Sequence, residues 1–285
     1  MSGFFAELGK QLADRWLKLL VLPGLLFVAV VLAGTTLGQR HAFDLPQTAR
    51  QAEKLTTASH NVTAAALLIA GVLVASGAAG LLANVLAAAA DRAWLGTWPR
   101  PLGWVASWRV KKRRKRWSSL SAEIDRAEDP VPLMVKRAGY AYAAPRRPTW
   151  MGDRLCGVDA VVYQEYRLDL DVAWPRFWLL FPAEVKAELV AARAAYDRAA
   201  ALGGWGMLYC GAGIVWWPAA VAGLLTFCTG WIQARDRVDQ YAALAEAAVD
   251  LYIVQLAESL PDSPQNGGFH HDLGAPITKL LRKGG

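Results

Sequence analysis

The sequence predicts an all-α membrane protein with four transmembrane helices, arranged as two helical pairs, and a mainly helical cytoplasmic domain. Three observations carry this expectation. First, 54% of the 285 residues are hydrophobic, yet they gather in blocks near 19–34, 62–90 and 199–234 instead of spreading as in a soluble core. Second, the uncharged run VTAAALLIAGVLVASGAAGLLANVLAAAA, starting at Val62, is followed by Trp94, Trp98, Trp104 and Trp108 and then by RVKKRRKRW. Apolar run, aromatic belt and cationic block is the order met on leaving a bilayer toward the cytoplasm. Third, Trp216, Trp217 and Pro218 fall at the centre of the last apolar block. At ~1.5 Å per residue that block is too long for one crossing of a ~30 Å core, so it reads as a hairpin with the tryptophans at the outer interface.

Charge supports the same orientation. The formal net charge is +7, and the segment 89–198 holds 20 of the 31 Lys and Arg but 13 of the 24 Asp and Glu, so it carries the whole excess. Such an excess beside a span is a topology signal and a surface for anionic lipid. Nucleic acid is not the expected partner, because the run carries no groove-reading motif and no sheet of stacking aromatics.

In chain order, residues 1–18 read as an amphipathic helix with Phe5, Leu8, Leu12 and Trp16 on one stripe. Segment 19–90 is the first transmembrane pair with an external loop at 35–61, in which 47–57 fits a short helix. The second span carries two rows of small residues, Gly71/Ala75/Ala79/Ala83 and Ser76/Gly80, with Asn84 ending the second row. Small residues four apart let helix backbones approach closely. Gly71, Ser76, Gly80 and Asn84 are therefore the expected helix-packing residues. The Ser76, Gly80 and Asn84 face is the expected oligomer contact.

Segment 91–198 reads as the basic cytoplasmic domain, entered by one helix over 101–128. Its cations Arg109, Lys111, Lys112, Arg113, Arg114, Lys115 and Arg116 are expected at the lipid surface. Trp174-Pro175-Arg176-Phe177-Trp178 reads either as a membrane-surface element, with the proline ending the preceding helix and Trp174, Arg176 and Trp178 at headgroup depth, or as a packing corner of the domain. An Ala-, Glu- and Arg-rich helix from Pro182 feeds the hairpin at 199–234. Residues 235–260 follow as an amphipathic cytoplasmic helix with Tyr241, Leu244, Ala248, Leu251, Tyr252 and Gln255 on its stripe. Residues 261–285, rich in Pro, Gly and polar types, read as a flexible tail.

Four features of this sequence resemble a group of actinobacterial-type multi-span integral membrane proteins of no known activity. They are Trp98-Pro99 before a basic helix, the spacing Thr149, Gly152 and Leu155 before an acidic helix, Tyr166-Arg167-Leu168-Asp169 leading into the Trp-Pro-Arg-aromatic-Trp motif at 174–178, and a hydrophobic hairpin followed by an amphipathic helix. The resemblance implies a helical membrane architecture and carries over no functional residue.

Catalytic signatures are missing. There is no Gly-rich phosphate loop, nucleophile elbow or His-Glu-x-x-His helix. His270-His271-Asp272 resembles a metal-ligand cluster but lacks further partners, so neither metal nor cofactor is expected. Asp153, Asp159, Glu165, Asp169 and Asp171 lie near Arg154 and Arg167 in sequence and read as a salt-bridge surface. Cys156, Cys210 and Cys228 have no C-x-x-C spacing, so no disulfide framework is expected. The expectation is a non-enzymatic, multi-pass plasma (inner) membrane protein with both termini cytoplasmic. It would act as an oligomeric scaffold or partner-binding module through its cytoplasmic helices; the competing expectation is an oligomeric pore or membrane-permeabilising effector.

Overall fold

The computed structural model describes residues 22–39, 62–260 and 274–282. The expected amphipathic helix at 1–18, the short helix at 47–57 and the His270-His271-Asp272 cluster lie outside the described residues. Among the described residues the chain is all-helical. The helices are α1 (Leu22–Leu37), α2 (Val62–Trp94), α3 (Gly103–Ile124), α4 (Val131–Tyr140), α5 (Trp150–Tyr166), α6 (Leu170–Leu180), α7 (Ala183–Ala212), α8 (Trp217–Glu258) and α9 (Gly274–Leu281). One of them, α2, is long and apolar enough to cross a membrane, and α1 is apolar but shorter. The apolar parts of α7 and α8 are each fused without a break to a charged stretch, so neither forms a purely apolar helix.

Two units divide the chain, Met1–Ala90 with Ala199–Ile232, and Asp91–Arg198 with Gln233–Gly285. In the first unit, glycines set the distances between helices. A Cβ at Gly24 of α1 would fall on the Ser76 carbonyl of α2. One at Gly204 of α7 would meet the backbone of Ala83 and Ala87. Gly206, Gly223 and Gly230 likewise hold α7 and α8 backbone to backbone. Directions follow from the contacts. Gly204 meets Ala83 and Ala87 while Leu208 packs with Ala79 and Ala83, so α2 and α7 are antiparallel. Phe27 meets the Tyr209 ring of α7 at 5.4 Å, and Gly34, two turns further along α1, meets Trp216 just beyond the end of α7, so α1 and α7 run parallel. With α8 returning after the turn at 213–216, the unit is an up-down-up-down bundle.

A glutamine fastens the turn of this bundle. The Gln39 amide donates to the Gly213 and Ile214 carbonyls at 3.1 and 2.7 Å and accepts from the Trp217 N–H at 3.1 Å. It thereby satisfies groups that the end of α7 and the start of α8 leave without intrahelical partners.

The second unit has a conventional apolar core. Val158, Val162 and Tyr166 of α5, Ala173 and Phe177 of α6, and Phe181 and Leu189 pack on α8. The α8 residues facing them are Ala242, Ala245, Val249, Ile253 and Leu256. This corrects the expected stripe: Leu251 and Gln255 are exposed, because the alanine-rich face packs more closely than the leucine-bearing one. The flexible-tail expectation also changes over its described part. Residues 274–281 form α9, whose Ile277 and Leu281 are buried in the same core. Pro175 does not end a helix either. It sits exposed inside α6, which Asp169 caps by accepting from the Asp171 N–H at 3.2 Å. The Asp171 carbonyl, to which Pro175 can offer no N–H, belongs to an exposed residue near the helix start.

Replacing Gly204 by Leu is expected to destabilise the first unit by about 1–3 kcal/mol through overpacking. Gly71→Leu, at a position with nothing near its Cβ, is expected to stay within about 0.5 kcal/mol of wild type. Thermal unfolding of the two variants in the same detergent checks the contrast.

Candidate functional site

Both small-residue rows of α2 are split: Ala79 and Ala83 of the first are buried with Ser76 and Gly80 of the second, while Gly71, Ala75 and Asn84 are exposed. Ser76 is 0% exposed, its hydroxyl donates to the Val72 carbonyl at 2.7 Å, and its backbone meets Gly24. Gly80 is buried with it, whereas Gly71 and Ala75 of the other row are exposed. The Ser76 and Gly80 face is therefore consumed by packing inside the chain, where it admits α1 and α7. Only Asn84 of that row is exposed. The outside of the unit is aliphatic: Val74 is 72% exposed and Ile214 84%, with Leu67, Ile69, Leu81, Val85, Leu224 and Leu225 also open.

The end of α2 explains the Trp98-Pro99 motif. The Trp98 indole N–H donates to the Ala93 carbonyl at 3.1 Å and the Thr97 N–H to Arg92 at 3.0 Å, so orphan carbonyls of the last turn are satisfied. Gly96 turns the chain with φ +68, and a Cβ there would strike Pro148. The Thr149/Gly152 spacing has an equally local cause. Thr149 caps α5 by accepting from the Gly152 N–H, and a Cβ at Gly152 would fall on the Leu95 carbonyl. Tyr196 of α7 donates to Asp91 at 2.7 Å. Burial and the neighbouring carboxylate push its phenol far above the ordinary tyrosine range.

A short 3-10 turn at Arg100–Leu102 leads into α3, which begins later and ends earlier than the expected 101–128. Its inner stripe runs Val110, Arg113, Trp117, Leu120 and Ile124. Its outer face holds Trp104, 75% exposed, Trp108, 59% exposed, and the exposed cations Lys111, Lys112, Lys115 and Arg116. Lys112 lies 5.5 Å from the Trp108 ring centroid, and Arg109 lies 5.7 Å from that of Trp98.

Two members of the cationic run have internal work. Arg113 pairs with Asp153 at 2.8 Å, with 15% and 4% of the two side chains exposed. The other oxygen of Asp153 accepts the Arg146 and Arg147 N–H groups at 2.7 and 2.6 Å, so the carboxylate clamps α3, the 145–148 loop and α5 together. Arg114 donates to the Pro145 carbonyl of the same loop at 2.8 Å. Spacing alone could not separate Arg113 and Arg114 from the surface cations, because their partners, Asp153 of α5 and Pro145 of the loop before it, lie 40 and 31 residues away in the chain. The Trp174, Arg176 and Trp178 element packs in part against the core. Both tryptophans are half-buried against the core, Trp174 edge-on to Phe181 at 6.1 Å, and the Arg176 guanidinium donates back to the Val172 carbonyl at 2.7 Å. Their open edges line a cleft of about 380 Å3 with Leu189, Arg193 and Asp197.

The acidic residues singled out in the sequence do not converge on one centre. Asp153 is buried in the clamp, Asp159 meets Arg146 at 3.3 Å, and Asp169 meets Arg282. Burial and the nearby Asp171 raise the Asp159 carboxyl above its ordinary value. A polar network missed by sequence reasoning lies on α8 instead. Arg154, almost fully buried, donates to Asp239 at 2.6 Å, lies 3.7 Å from Glu246, and covers the Tyr142 ring at 4.5 Å. Tyr142 donates to Glu246 at 2.8 Å and Tyr166 to Asp250 at 3.1 Å. Asp239, Glu246 and Asp250 share one face of α8 at helical spacing, which is the one signal that could have revealed it. Chemically this is a set of mutually occupied ion pairs and phenol donors. It ties α5 and the 141–142 segment to α8.

Arg113→Ala is expected to destabilise the second unit by about 3 kcal/mol, because it leaves a buried carboxylate without its cation. Lys112→Ala is expected to change stability by less than about 0.5 kcal/mol. Denaturation midpoints of the two variants check this division of the basic run. Tyr166 gives a pH prediction. Burial, and then its bond to Asp250, push its phenol up to about 12. A raised folded value means that its stabilisation is complete below the ordinary value of about 10 and is lost as pH rises from there to about 12. Tyr166→Phe should flatten the fall in stability over that window, as read by thermal unfolding against pH.

Comparison of the chain with protein-family models, curated proteins and solved structures gave no match, so its own geometry carries the functional reading.

Proposed function

We propose that this chain is a multi-pass plasma (inner) membrane protein that acts as a non-enzymatic oligomeric scaffold. Four crossings, by α1, α2 and the two arms of the α7–α8 hairpin, place both termini and the second unit in the cytoplasm. The observation that carries the reading is the inverted composition of the first unit. Ser76, Gly80, Ala83 and Gly204 are inside, while Leu67, Val74, Ile214 and Leu225 are outside. In water such a surface would aggregate; against lipid tails it costs nothing, and close packing of small residues supplies the cohesion. The cationic outer face of α3, with Trp104 and Trp108, meets anionic headgroups, each nearby cation contributing about 1 kcal/mol.

Oligomerisation follows from Asn84. Its side chain is exposed among Leu81, Leu82 and Val85. An amide facing hydrocarbon gains about 1 kcal/mol by bonding its counterpart in a second copy. Thr226, half-buried on α8, already donates to the Ala222 carbonyl and needs no such partner. A pore is the competing reading, with Asn84 lining a path between copies.

Reporter fusions at Gly38, Lys115, Pro218 and Gly284 are expected to read outside, inside, outside and inside. A C-terminus found outside would mean a single crossing by 199–234 and would overturn the four-span reading. Asn84→Leu is expected to weaken the purified oligomer mildly. Ion flux from wild-type liposomes, lost in an intact Asn84→Leu oligomer, would replace the scaffold by the pore.

A further inference from the structure

The joint of α5, α6 and α9 contains an unbalanced set of cations. One face of α9 enters the core through Ile277 and Leu281. The other, with Thr278, Lys279 and Arg282, lines a cleft of about 570 Å3 whose opposite wall is Tyr163, Arg167 and Asp169. Asp169 is the one carboxylate of this lining, and it is occupied: one oxygen accepts from Arg282, the other from the Asp171 N–H. Arg282 accordingly holds the Asp169 carboxyl below its ordinary value. The Arg167 guanidinium lies 5.9 Å from the Tyr163 ring centroid, and neither Arg167 nor Lys279 takes part in the Arg282–Asp169 pair. Within the lining, Arg282 is paired with Asp169, which leaves Arg167 and Lys279 as its two further cations.

The backbone at Arg167 adds an independent observation. It ends α5 with φ 56, the one non-glycine residue with positive φ among the described residues. Glycine or asparagine ordinarily takes this position at a helix end. Here an arginine holds it, and its side chain opens on the cleft. The corner is firmly seated. Thr278 accepts the Asp169 N–H at 3.1 Å, and a Cβ at Gly274 would fall on Leu168 and the Tyr166 carbonyl.

We infer that this cleft binds a phosphate group, held between the Arg167 guanidinium and the Lys279 ammonium with the Tyr163 hydroxyl as a further donor. A guanidinium suits two phosphate oxygens at once, and an ammonium supplies a mobile point charge. The ligand is a phosphate ester, either a soluble phosphomonoester or a phospholipid headgroup. Binding would join the end of α5 to α9 and hold α9 in place. This site belongs wholly to the second unit and does not depend on the topology proposed above.

The test uses the full-length protein in a neutral detergent, with binding measured by calorimetry. The probes are inorganic phosphate, glycerol 3-phosphate and short-chain phosphatidic acid. Saturable binding is expected, weakened at least about tenfold in both Lys279→Gln and Arg167→Gly. Arg167→Gly keeps the left-handed backbone and relieves its strain, so it is expected to melt no lower than wild type. Amide exchange over 274–282 is expected to slow with ligand. Binding of inorganic phosphate or glycerol 3-phosphate identifies a soluble ligand, and binding of phosphatidic acid alone identifies a lipid headgroup; both uphold a phosphate site. Absence of saturable binding by all three probes overturns the inference, as does unchanged affinity in the two variants.

Discussion

Two helices can share a backbone-to-backbone contact only where no Cβ stands between them. The first unit depends on this constraint at each interface: Gly24 on Ser76, Gly204 on Ala83 and Ala87, and Gly206, Gly223 and Gly230 along the hairpin. Once glycine and alanine occupy the interior, the large aliphatic side chains of α2 and α8 have nowhere to go but outward. The aliphatic surface and the tight interior are then one fact seen from two sides. Closely spaced backbones gain dispersion contacts along each of these seams. The Gln39 amide performs the complementary task at the turn, where the ends of helices leave backbone groups without intrahelical partners.

The second unit rests on ordinary burial, and its charges are divided between two tasks. Arg113 and Arg154 are drawn inside by Asp153, Asp239 and Glu246, where charge pairing must offset desolvation. Lys111, Lys112, Lys115 and Arg116 stay outside. A run of consecutive cations on a helix necessarily splits this way, since successive residues turn by about a third of a circle and only part of the circumference faces the core. The internal arginines orient α3 and thereby set which cations and which tryptophans form its outer face.

Much was legible from composition and order. The helical class, the apolar blocks and a turn at the Trp216-Trp217-Pro218 centre of the last block all follow from properties of neighbouring residues. The misread faces share one cause. On α8 the apparent stripe through Leu251 lost to Ala242, Ala245 and Val249, and on α2 the packed face takes Ala79 and Ala83 together with Ser76 and Gly80 and leaves Gly71 and Asn84 exposed. Ranking residues by hydrophobicity favours leucine, whereas close helix packing favours the smallest side chain. Ile277 and Leu281 escaped notice for another reason: an isolated pair four apart among polar residues becomes a core element only when a complementary surface waits for it.

The sequence by itself therefore determined the helical class and the placing of the apolar blocks, because hydropathy and helical periodicity act over a few turns and are independent of distant partners. Tertiary structure decided which of several equivalent residues does which job. Arg113 and Lys112 are chemically similar neighbours, and only the arrival of Asp153 behind α3 makes one structural and leaves the other at the surface. Arg167, Lys279 and Arg282 lie on elements far apart in the chain, and their positive charge becomes one site only because α9 folds back on the corner between α5 and α6. Electrostatic and steric partners are set by distance in space, which no local pattern records.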